Sequence, residues 1–298
     1  MIRPAREEVH ETLATGLDLT GSIWCTRGEM PGSPESIQGP SWQDGAAADD
    51  PAAFRLERPT GASPYLFTCD HAGRRLPGRL GTLGLSEADL GRHIAWDIGV
   101  AGLARELAER LDAVAILQTY SRLAIDANRP PGSPDSILGI SDGMVIPGNQ
   151  GLSGVEAERR AREIFHPYHD RIRRELDDRA RAQRTTLLVA LHSFTPSLSN
   201  SPARRWHVGV LHLRDRRLAH PLLELLRAEP GLVVGDNEPY AASDATDYTI
   251  VEHGERRGLP HVELELRQDL ISDEAGQAAW AARLAALLRR AHERMFPG

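Results

Sequence analysis

The feature that most constrains the fold of this chain is a regular alternation, from Pro64 onward, of short apolar runs with long amphipathic stretches. Short apolar runs bounded by turn residues are typical of buried strands, whereas apolar residues recurring every three or four positions indicate helices. The runs predict strands over 65–69, 113–120, 185–193, 206–213, 231–237 and 261–267. The amphipathic stretches predict helices over 100–111, 154–181, 218–229 and 275–295.

This order of elements predicts the fold class. Strands that alternate with helices form a mostly parallel mixed sheet between two helical layers, so we expect an α/β three-layer sandwich. Ser153 and Ser272 precede two of the helices and are predicted N-caps. In such sheets the ligand crevice lies at the carboxyl ends of the strands, so polar side chains there are candidate site residues.

Residues 1–62 differ in composition from the rest of the chain. They contain clusters rich in Gly, Pro, Ser and Asp, such as PGSPESIQGP and DGAAADDPAA, with little apolar periodicity. We predict that they form an N-terminal extension, loosely structured or wrapped on the domain. Residues 63–298 are predicted to be a single α/β domain, because α/β folds often reach this length as one unit.

Charge and composition exclude several classes of function. The net charge is -7 and no long run of like charges occurs, which argues against a nucleic-acid partner. All 35 residues counted as Lys+Arg are Arg, so Schiff-base, Walker-type and Ser-Lys mechanisms are excluded. No stretch approaches the roughly 20 apolar residues of a membrane span, and no signal peptide is recognisable. We therefore expect a cytoplasmic protein without a membrane partner.

Two histidines lie at predicted strand ends. His71 follows the first strand in TCDHAG, and His192 ends TTLLVALH. One such histidine is usually a hydrogen-bonded core residue, but two indicate a metal, and catalytic zinc generally takes three protein ligands. Asp97 and the neighbouring Asp70 are candidates for the third; we favour Asp97, although a carboxylate at a helix start also has a purely structural explanation.

The last predicted strand carries three charges on one face. Glu263, Glu265 and Arg267 recur at a spacing of two in HVELELR, and charges on so apolar a strand need partners or a polar cleft. An internal Glu–Arg pair is the structural explanation. In the functional one, Glu265 takes a proton from the attacking water and passes it to the leaving nitrogen, and Glu263 supports it.

Arginines are the candidates for binding an acidic substrate. Asn128 and Arg129 precede PPG on a rigid turn, where they can bind a carboxylate, and Arg122 can bind a second carboxylate or polarise the scissile carbonyl. A single arginine is most often a solvated surface residue. The proposed role of these arginines in substrate binding therefore depends on their occurring together with the candidate histidines and glutamates.

Seven motifs carry a resemblance to a known family. TCDHAG, HIAWDIG, YSRLAIDANRPPGSPDSI, FHPYHDRI, ALHSF, GDNEPY and GLPHVELELRQDLI, between Leu66 and Ile271, resemble the N-formylglutamate amidohydrolase family. The resemblance implies a zinc enzyme, with one Zn²⁺ per chain, that hydrolyses N-formyl-L-glutamate to formate and L-glutamate in histidine breakdown. Tyr240 and Arg267 would contact the substrate.

Three segments are also similar, more faintly, to zinc carboxypeptidases. By that likeness ALHSF makes His192 a zinc ligand, DANR makes Asn128 and Arg129 an α-carboxylate clamp, and ELR makes Glu265 the general base, in a zinc-exopeptidase-like fold. The pattern departs where carboxypeptidases have a glutamate, since Arg74 stands three residues after His71. The third ligand is therefore open between Asp97 and Asp70.

Some alternatives remain. For His166 and His169 we favour a surface cluster at a helix start over substrate contacts. Ser193 adjoins His192, but it does not lie in a G-x-S-x-G elbow, so a serine hydrolase is the weaker enzyme alternative. Other small acidic amides, including N-acyl amino acids or carboxypeptidase-like substrates, are alternative substrates. A carboxylate-binding protein without catalysis is the alternative outside enzymes.

Overall fold

The structure is a computed structural model, and it describes residues 50–199 and 201–296. Six α-helices occur in the described residues, together with short 3-10 and π-helical segments. They are α1 (Glu87–Leu90), α2 (Val100–Leu111), α3 (Gly154–Arg160), α4 (His166–Arg181), α5 (Ala219–Arg227) and α6 (Glu274–Met295). The strands are β1 (Phe54–Glu57), β2 (Tyr65–Cys69), β3 (Val114–Gln118), β4 (Ile140–Ser141), β5 (Met144–Val145), β6 (Leu187–Phe194), β7 (Val208–Leu211), β8 (Val234–Asp236) and β9 (His261–Arg267).

Seven strands form one mixed sheet in the order β1-β3-β2-β6-β9-β7-β8. The four central strands β3, β2, β6 and β9 run parallel to one another, while β1 runs antiparallel to β3 and β7 antiparallel to β9. β4 and β5 form a separate hairpin. The carboxyl ends of β2, β6 and β9 therefore meet at one edge of the sheet, which is where a ligand crevice is expected.

Helices cover both faces of this sheet. Side chains alternate along β2, so Phe67 joins the core beneath α2, α5 and α6, whereas Leu66 faces α4 with Tyr168 and Ile172. All four residues are fully buried. The α/β three-layer fold with a mostly parallel mixed sheet is thus confirmed. No helix in the described residues is long and apolar enough to cross a membrane.

Each of the six predicted strands and four predicted helices has a counterpart, with three differences of detail. The stretch 154–181 is divided by a π-helical turn at Ala161–Phe165 between α3 and α4. Ser153 caps α3 as predicted, because its Oγ accepts a hydrogen bond from the Glu156 N–H. Ser272 is not the cap of α6: Asp273 is, since its side chain accepts from the Gly276 N–H.

The third difference lies in the predicted N-terminal extension. Phe54–Glu57 forms the edge strand β1, so the sheet begins before residue 63. FRLE is too short and too charged to indicate a strand by itself, and its strand conformation comes from pairing with β3. Residues 1–49 of the extension lie outside the described part of the chain, and the domain boundaries stay a prediction.

Candidate active site

Three side chains converge at the carboxyl edge of the sheet. His71 lies just after β2, His192 lies within β6, and Asp97 lies in the turn that leads into α2. His192 Nδ1 is 3.2 Å from His71 Nδ1 and 3.0 Å from Asp97 Oδ2, and His71 Nδ1 is 3.5 Å from the same oxygen. All three residues are buried. These are the metal ligands predicted from the sequence, and the fold brings them together from three separate segments.

A carboxylate stands behind each histidine. His71 Nε2 lies 2.7 Å from Asp126 Oδ1, and His192 Nε2 lies 3.2 Å from Asp70 Oδ2. A carboxylate at Nε2 holds the ring proton there and leaves the Nδ1 lone pair facing inward. Asp70 therefore supports His192 from outside, and Asp97 is the carboxylate that faces both Nδ1 atoms.

This donor set fits a metal ion. Two imidazole nitrogens and one carboxylate oxygen lie within 4.8 Å of one another, and this is a combination that catalytic zinc takes. Two Nδ1 lone pairs directed at each other over 3.2 Å repel, and a cation between them would remove that repulsion. The residues His71, Asp97 and His192 would hold that cation.

The charges of the surrounding carboxylates also favour a cation at this position. Burial opposes ionisation of Asp70, but the hydrogen bond and charge of His192 outweigh it and lower the pKa of Asp70 to about 2. Burial likewise opposes the ionised form of Asp126, but Arg122 and His71 hold its pKa well below the usual range. Burial also opposes ionisation of Asp97, but His71 and His192 lower its pKa. Three ionised carboxylates, Asp70, Asp97 and Asp126, around two imidazoles make the centre attractive to a cation.

The backbone ties the ligand segments to one another. The Asp97 N–H donates to the His71 carbonyl at 2.9 Å, and the Ser193 N–H donates to Asp97 Oδ2 at 3.0 Å. The Ser193 hydroxyl donates to the Ile98 carbonyl at 2.9 Å. This hydroxyl is therefore engaged away from His192, and the geometry does not favour Ser193 as a nucleophile.

A cleft of about 340 Å³ opens beside the ligand atoms, and Glu265 lines it. Glu265 is only 7% exposed, and within the described residues its Oε2 has no hydrogen-bond partner. Burial, with a further contribution from Asp97 against the opposing charge of His192, raises the pKa of Glu265 to about 7. Such a carboxylate can accept a proton near neutral pH and return it.

Glu263 lies deeper in the same wall. It is 2% exposed, and its Oε2 lies 3.5 Å from Asn128 Nδ2. Burial first, and then the negative charge of Asp247, raise the pKa of Glu263 well above its usual range. The two glutamates share one strand face as predicted, but Glu263 is set up as a neutral acid and Glu265 as a base.

Two of the predicted arginines line the cleft together with Asn128. Arg122 donates to Asp126 Oδ2 from Nε at 3.1 Å and from Nη2 at 2.5 Å, and its Nη1 lies 3.8 Å from Asp97 Oδ1. Arg129 donates from Nη1 to the carbonyls of Asn128 and Thr246. Over the described residues, no hydrogen bond involves its Nε or Nη2, so these donors are available to a ligand.

The remaining predicted substrate contacts differ from each other. Tyr240 lines the cleft mouth with 41% of its surface exposed, and its hydroxyl accepts a hydrogen bond from Arg204 at 2.7 Å. Arg267 is not among the lining residues of this cleft: its Nε donates to Asp269 at 2.8 Å, and its Nη1 reaches the Trp206 carbonyl. The structure therefore does not bring Arg267 to the site.

The expectation of a surface cluster at His166 and His169 is wrong for His169. That side chain is 1% exposed and contacts the Ala127 carbonyl at 2.8 Å and His253 Nε2 at 3.0 Å. His166 is exposed, and neither histidine lines the cleft. His169 faces inward because the helical period of α4 places it beside the buried Tyr168 and Ile172.

Sequence reasoning missed Asp126 and Asp247. Asp126 had one signal, because each metal-binding histidine needs an outer acceptor and AIDANR places a carboxylate next to the proposed clamp. Asp247, which lines the cleft, had none, since it lies in a polar loop without periodicity.

Volume alone would point to a second cavity. It measures about 550 Å³ and is lined in part by Arg55, Arg74, Arg75 and Trp96. It contains none of the converging histidines, and Glu87 is the one carboxylate among its lining residues. Chemistry therefore favours the smaller cleft beside His71 and His192.

Similarity to known proteins indicates the family of this chain. The profile of the family described as N-formylglutamate amidohydrolase matches residues 63–272. A Pseudomonas putida protein named N-formylglutamate deformylase is 28% identical over 238 residues, which are 72% of this chain and 84% of the relative.

Two crystal structures share the fold. A gene product of Agrobacterium tumefaciens superimposes with a TM-score of 0.80 at 36% identity, covering 82% of this chain and 96% of that one. An N-formylglutamate amidohydrolase of Ralstonia eutropha JMP134 superimposes with a TM-score of 0.63 at 21% identity, covering 81% and 97%. The chain therefore belongs to the N-formylglutamate amidohydrolase family and is a hydrolase of amide bonds.

Proposed function

We propose that this protein is a metal-dependent enzyme that hydrolyses N-formyl-L-glutamate to formate and L-glutamate, with one Zn²⁺ held by His71, Asp97 and His192. One observation carries the proposal: three inward-facing ligand atoms lie within 4.8 Å of one another beside a cleft lined by Glu265, whose Oε2 has no hydrogen-bond partner among the described residues. A metal site with an adjacent free base is the arrangement that amide hydrolysis by water requires.

The proposed chemistry divides between the metal and the chain. A bound zinc ion would polarise the formyl carbonyl and make water more acidic. Glu265 accepts the proton of the attacking water and delivers it to the amide nitrogen, which leaves as the α-amino group of glutamate. Arg122 lies beside Asp97 and lines the cleft, where its charge stabilises the negative oxygen that develops on the carbonyl carbon.

Arginine side chains are proposed to recognise the substrate. N-formyl-L-glutamate carries two carboxylates at neutral pH, and this chain has no lysine, so arginines must bind them. Arg129 offers Nε and Nη2 to the α-carboxylate, with Asn128 beside it and Tyr240 at the cleft mouth.

The size of the cleft favours a small substrate. A volume of about 340 Å³ lies near the lower end of ligand pockets, roughly 300–1,000 Å³. A formyl group adds only two heavy atoms to the amino acid. Larger acyl groups and peptides are less favoured, and the name of the Pseudomonas relative supports a formyl group. The cytoplasmic location and the place in histidine breakdown stay predictions.

Metal analysis paired with an assay of formate release tests the proposal. We expect about one zinc ion per chain, and release of formate from N-formyl-L-glutamate that a chelator abolishes and added Zn²⁺ restores. N-formyl-L-glutamine and N-acetyl-L-glutamate serve as matched substrates, since each changes one end of the molecule. Zinc without formate release would point to another acyl group. A protein that binds the substrate without metal or turnover would contradict the proposal and favour a binding role.

A further inference from the structure

We infer that Tyr168 and Thr249 are positioning residues for the metal: their two hydroxyls hold Asp70 behind His192, and through Asp70 they fix the His192 ring. This inference rests on the proposed metal dependence. It concerns two residues that do not line the cleft and that act only through the carboxylate between them and the ligand.

Asp70 is shared between three buried partners. Its Oδ1 accepts a hydrogen bond from the Tyr168 hydroxyl at 2.8 Å and another from the Thr249 hydroxyl, also at 2.8 Å. Its Oδ2 faces His192 Nε2 at 3.2 Å. Asp70, Tyr168 and Thr249 all have 0% exposure. One oxygen is thus anchored, and the other is directed at the imidazole.

The two hydroxyls that donate to Asp70 Oδ1 carry no charge. Within the described residues, no arginine forms an ion pair with Asp70, and His192 is its one ion-pair partner. A buried carboxylate without an arginine partner needs further hydrogen bonds to offset its desolvation. Hydroxyl donors meet that need and leave the negative charge in place, so Asp70 accepts strongly from the His192 Nε2–H. A stronger acceptor at Nε2 makes Nδ1 a better metal ligand.

Two different elements supply these hydroxyls. Tyr168 projects from α4, which packs on the sheet through Ile172 and Leu176. Thr249 immediately precedes the helical segment Ile250–Gly254, and its N–H donates to Asn128 Oδ1 at 3.0 Å. Thr249 therefore connects the metal side of the site to the proposed carboxylate clamp.

This geometry predicts a specific kind of defect. Loss of either hydroxyl leaves Asp70 Oδ1 with one donor and lets the carboxylate rotate away from His192. Zinc affinity should fall, while the affinity for substrate at saturating zinc should change little. A purely structural role would lower the stability of the fold without a selective loss of zinc.

Zinc affinity of the full-length chain tests the inference by competition with a chromophoric chelator. Tyr168→Phe and Thr249→Val each remove one hydroxyl with little change of shape, and Thr249→Ser retains it. We expect about three- to tenfold weaker zinc binding in the first two, below the roughly 10- to 100-fold loss typical when a direct outer partner is removed. Thr249→Ser should bind zinc like the wild type.

Tyr120→Phe is the matched control for loss of a buried hydroxyl, because Tyr120 donates to the Pro51 carbonyl and does not contact the metal ligands. The absorption spectrum of the Co²⁺-substituted protein is a second readout and should change with Tyr168→Phe but not with Tyr120→Phe. If one variant does not fold, the other still tests its own hydroxyl. Wild-type zinc affinity in both Tyr168→Phe and Thr249→Val would overturn the inference, whereas failure of the wild type to bind zinc would instead overturn the proposed function.

Discussion

The two histidines of the proposed metal site are supported in opposite ways. We define the His71 arm as His71, Asp126 and Arg122, and the His192 arm as His192, Asp70, Tyr168 and Thr249. In the His71 arm the carboxylate is neutralised by an arginine whose Nη2 lies 2.5 Å from Asp126 Oδ2. In the His192 arm two hydroxyls hold the carboxylate at 2.8 Å.

The difference follows from where each arm lies. Arg122 lines the cleft and can keep its charge partly hydrated, so the desolvation cost of an ion pair with Asp126 is small there. The His192 arm ends among fully buried residues between the sheet and α4, where a cation would lose its hydration. The His71 arm therefore places a cation in the cleft itself, whereas the His192 arm is anchored in the core and reaches the proposed clamp through the Thr249 N–H.

The largest expected effect comes from a change that touches neither arm. Glu265→Gln should lower kcat by about a thousandfold, because an amide cannot accept the proton of water. Zinc content and affinity should stay those of the wild type, since both arms remain intact. Steady-state assays and metal analysis on the same preparation measure both.

Glu263→Gln is the matched control on the same strand. Because burial raises the pKa of Glu263 well above its usual range, the neutral amide resembles the acid that is present and should retain most of kcat. Equal losses in the two variants would remove Glu265 from its proposed role.

The next largest effect separates the two arms directly. Asp70→Asn and Asp126→Asn should each weaken zinc binding about 10- to 100-fold, as expected for the outer partner of a ligand. At saturating zinc, Asp70→Asn should recover near wild-type kcat, whereas Asp126→Asn should not, because it also releases Arg122. Zinc titrations of both variants, with kcat measured at saturating zinc, test this. Identical recovery of kcat in the two variants would show that the arms are equivalent.

A third variant leaves both arms intact and changes the substrate side. Arg129→Ala should raise KM for N-formyl-L-glutamate about 10- to 100-fold, the equivalent of one lost charge-assisted hydrogen-bonding group. Zinc affinity should not change. Arg267→Ala is the control, since Arg267 pairs with Asp269 outside the cleft and its loss should leave KM unaltered. The clamp would be refuted if Arg129→Ala bound the substrate as tightly as the wild type.

The smallest effect for a single step of the measurement, one pH unit, is expected from the pH dependence of turnover. The pKa of Glu265 is raised to about 7, so the residue becomes protonated as the pH falls through that value and can no longer act as a base. We expect kcat to fall about tenfold for each pH unit below about 7. A pH profile of kcat at saturating zinc measures this. A flat profile down to about pH 5 would contradict the assignment of the base.

Local pattern accounts for much of the fold. Periodicity located α2 and α6 nearly to the residue, because a helix with one buried face must repeat its apolar residues at the helical period. It did not reveal β1, whose four residues are held in the sheet by pairing with β3. The π-helical turn at Ala161–Phe165 was equally invisible, since it leaves the helical pattern almost unchanged.

For the site, position at a strand end identified candidate residues in the sequence, but the hydrogen-bond partners of those residues could not be predicted. His71, His192 and Glu265 could be found because each lies at or near the carboxyl end of a central strand. Arg267 shares that position, yet it turns to Asp269, since the last residue of a strand is free to rotate out of the sheet face. The sequence pattern gave no indication of a role for Tyr168 or Thr249, because their partner Asp70 lies in a distant segment of the chain.

The sequence by itself determined the α/β fold class, the family resemblance, the choice of the histidines and glutamate as candidate site residues, and the fact that its Lys and Arg cations are all arginine. Only the tertiary structure decided that Asp97 faces the two Nδ1 atoms while Asp70 stands behind His192. The physical reason is that composition and periodicity are properties of a local segment. The direction of a carboxylate in a turn depends instead on hydrogen bonds from residues far away in the chain, such as the Ser193 N–H for Asp97 and the Thr249 hydroxyl for Asp70.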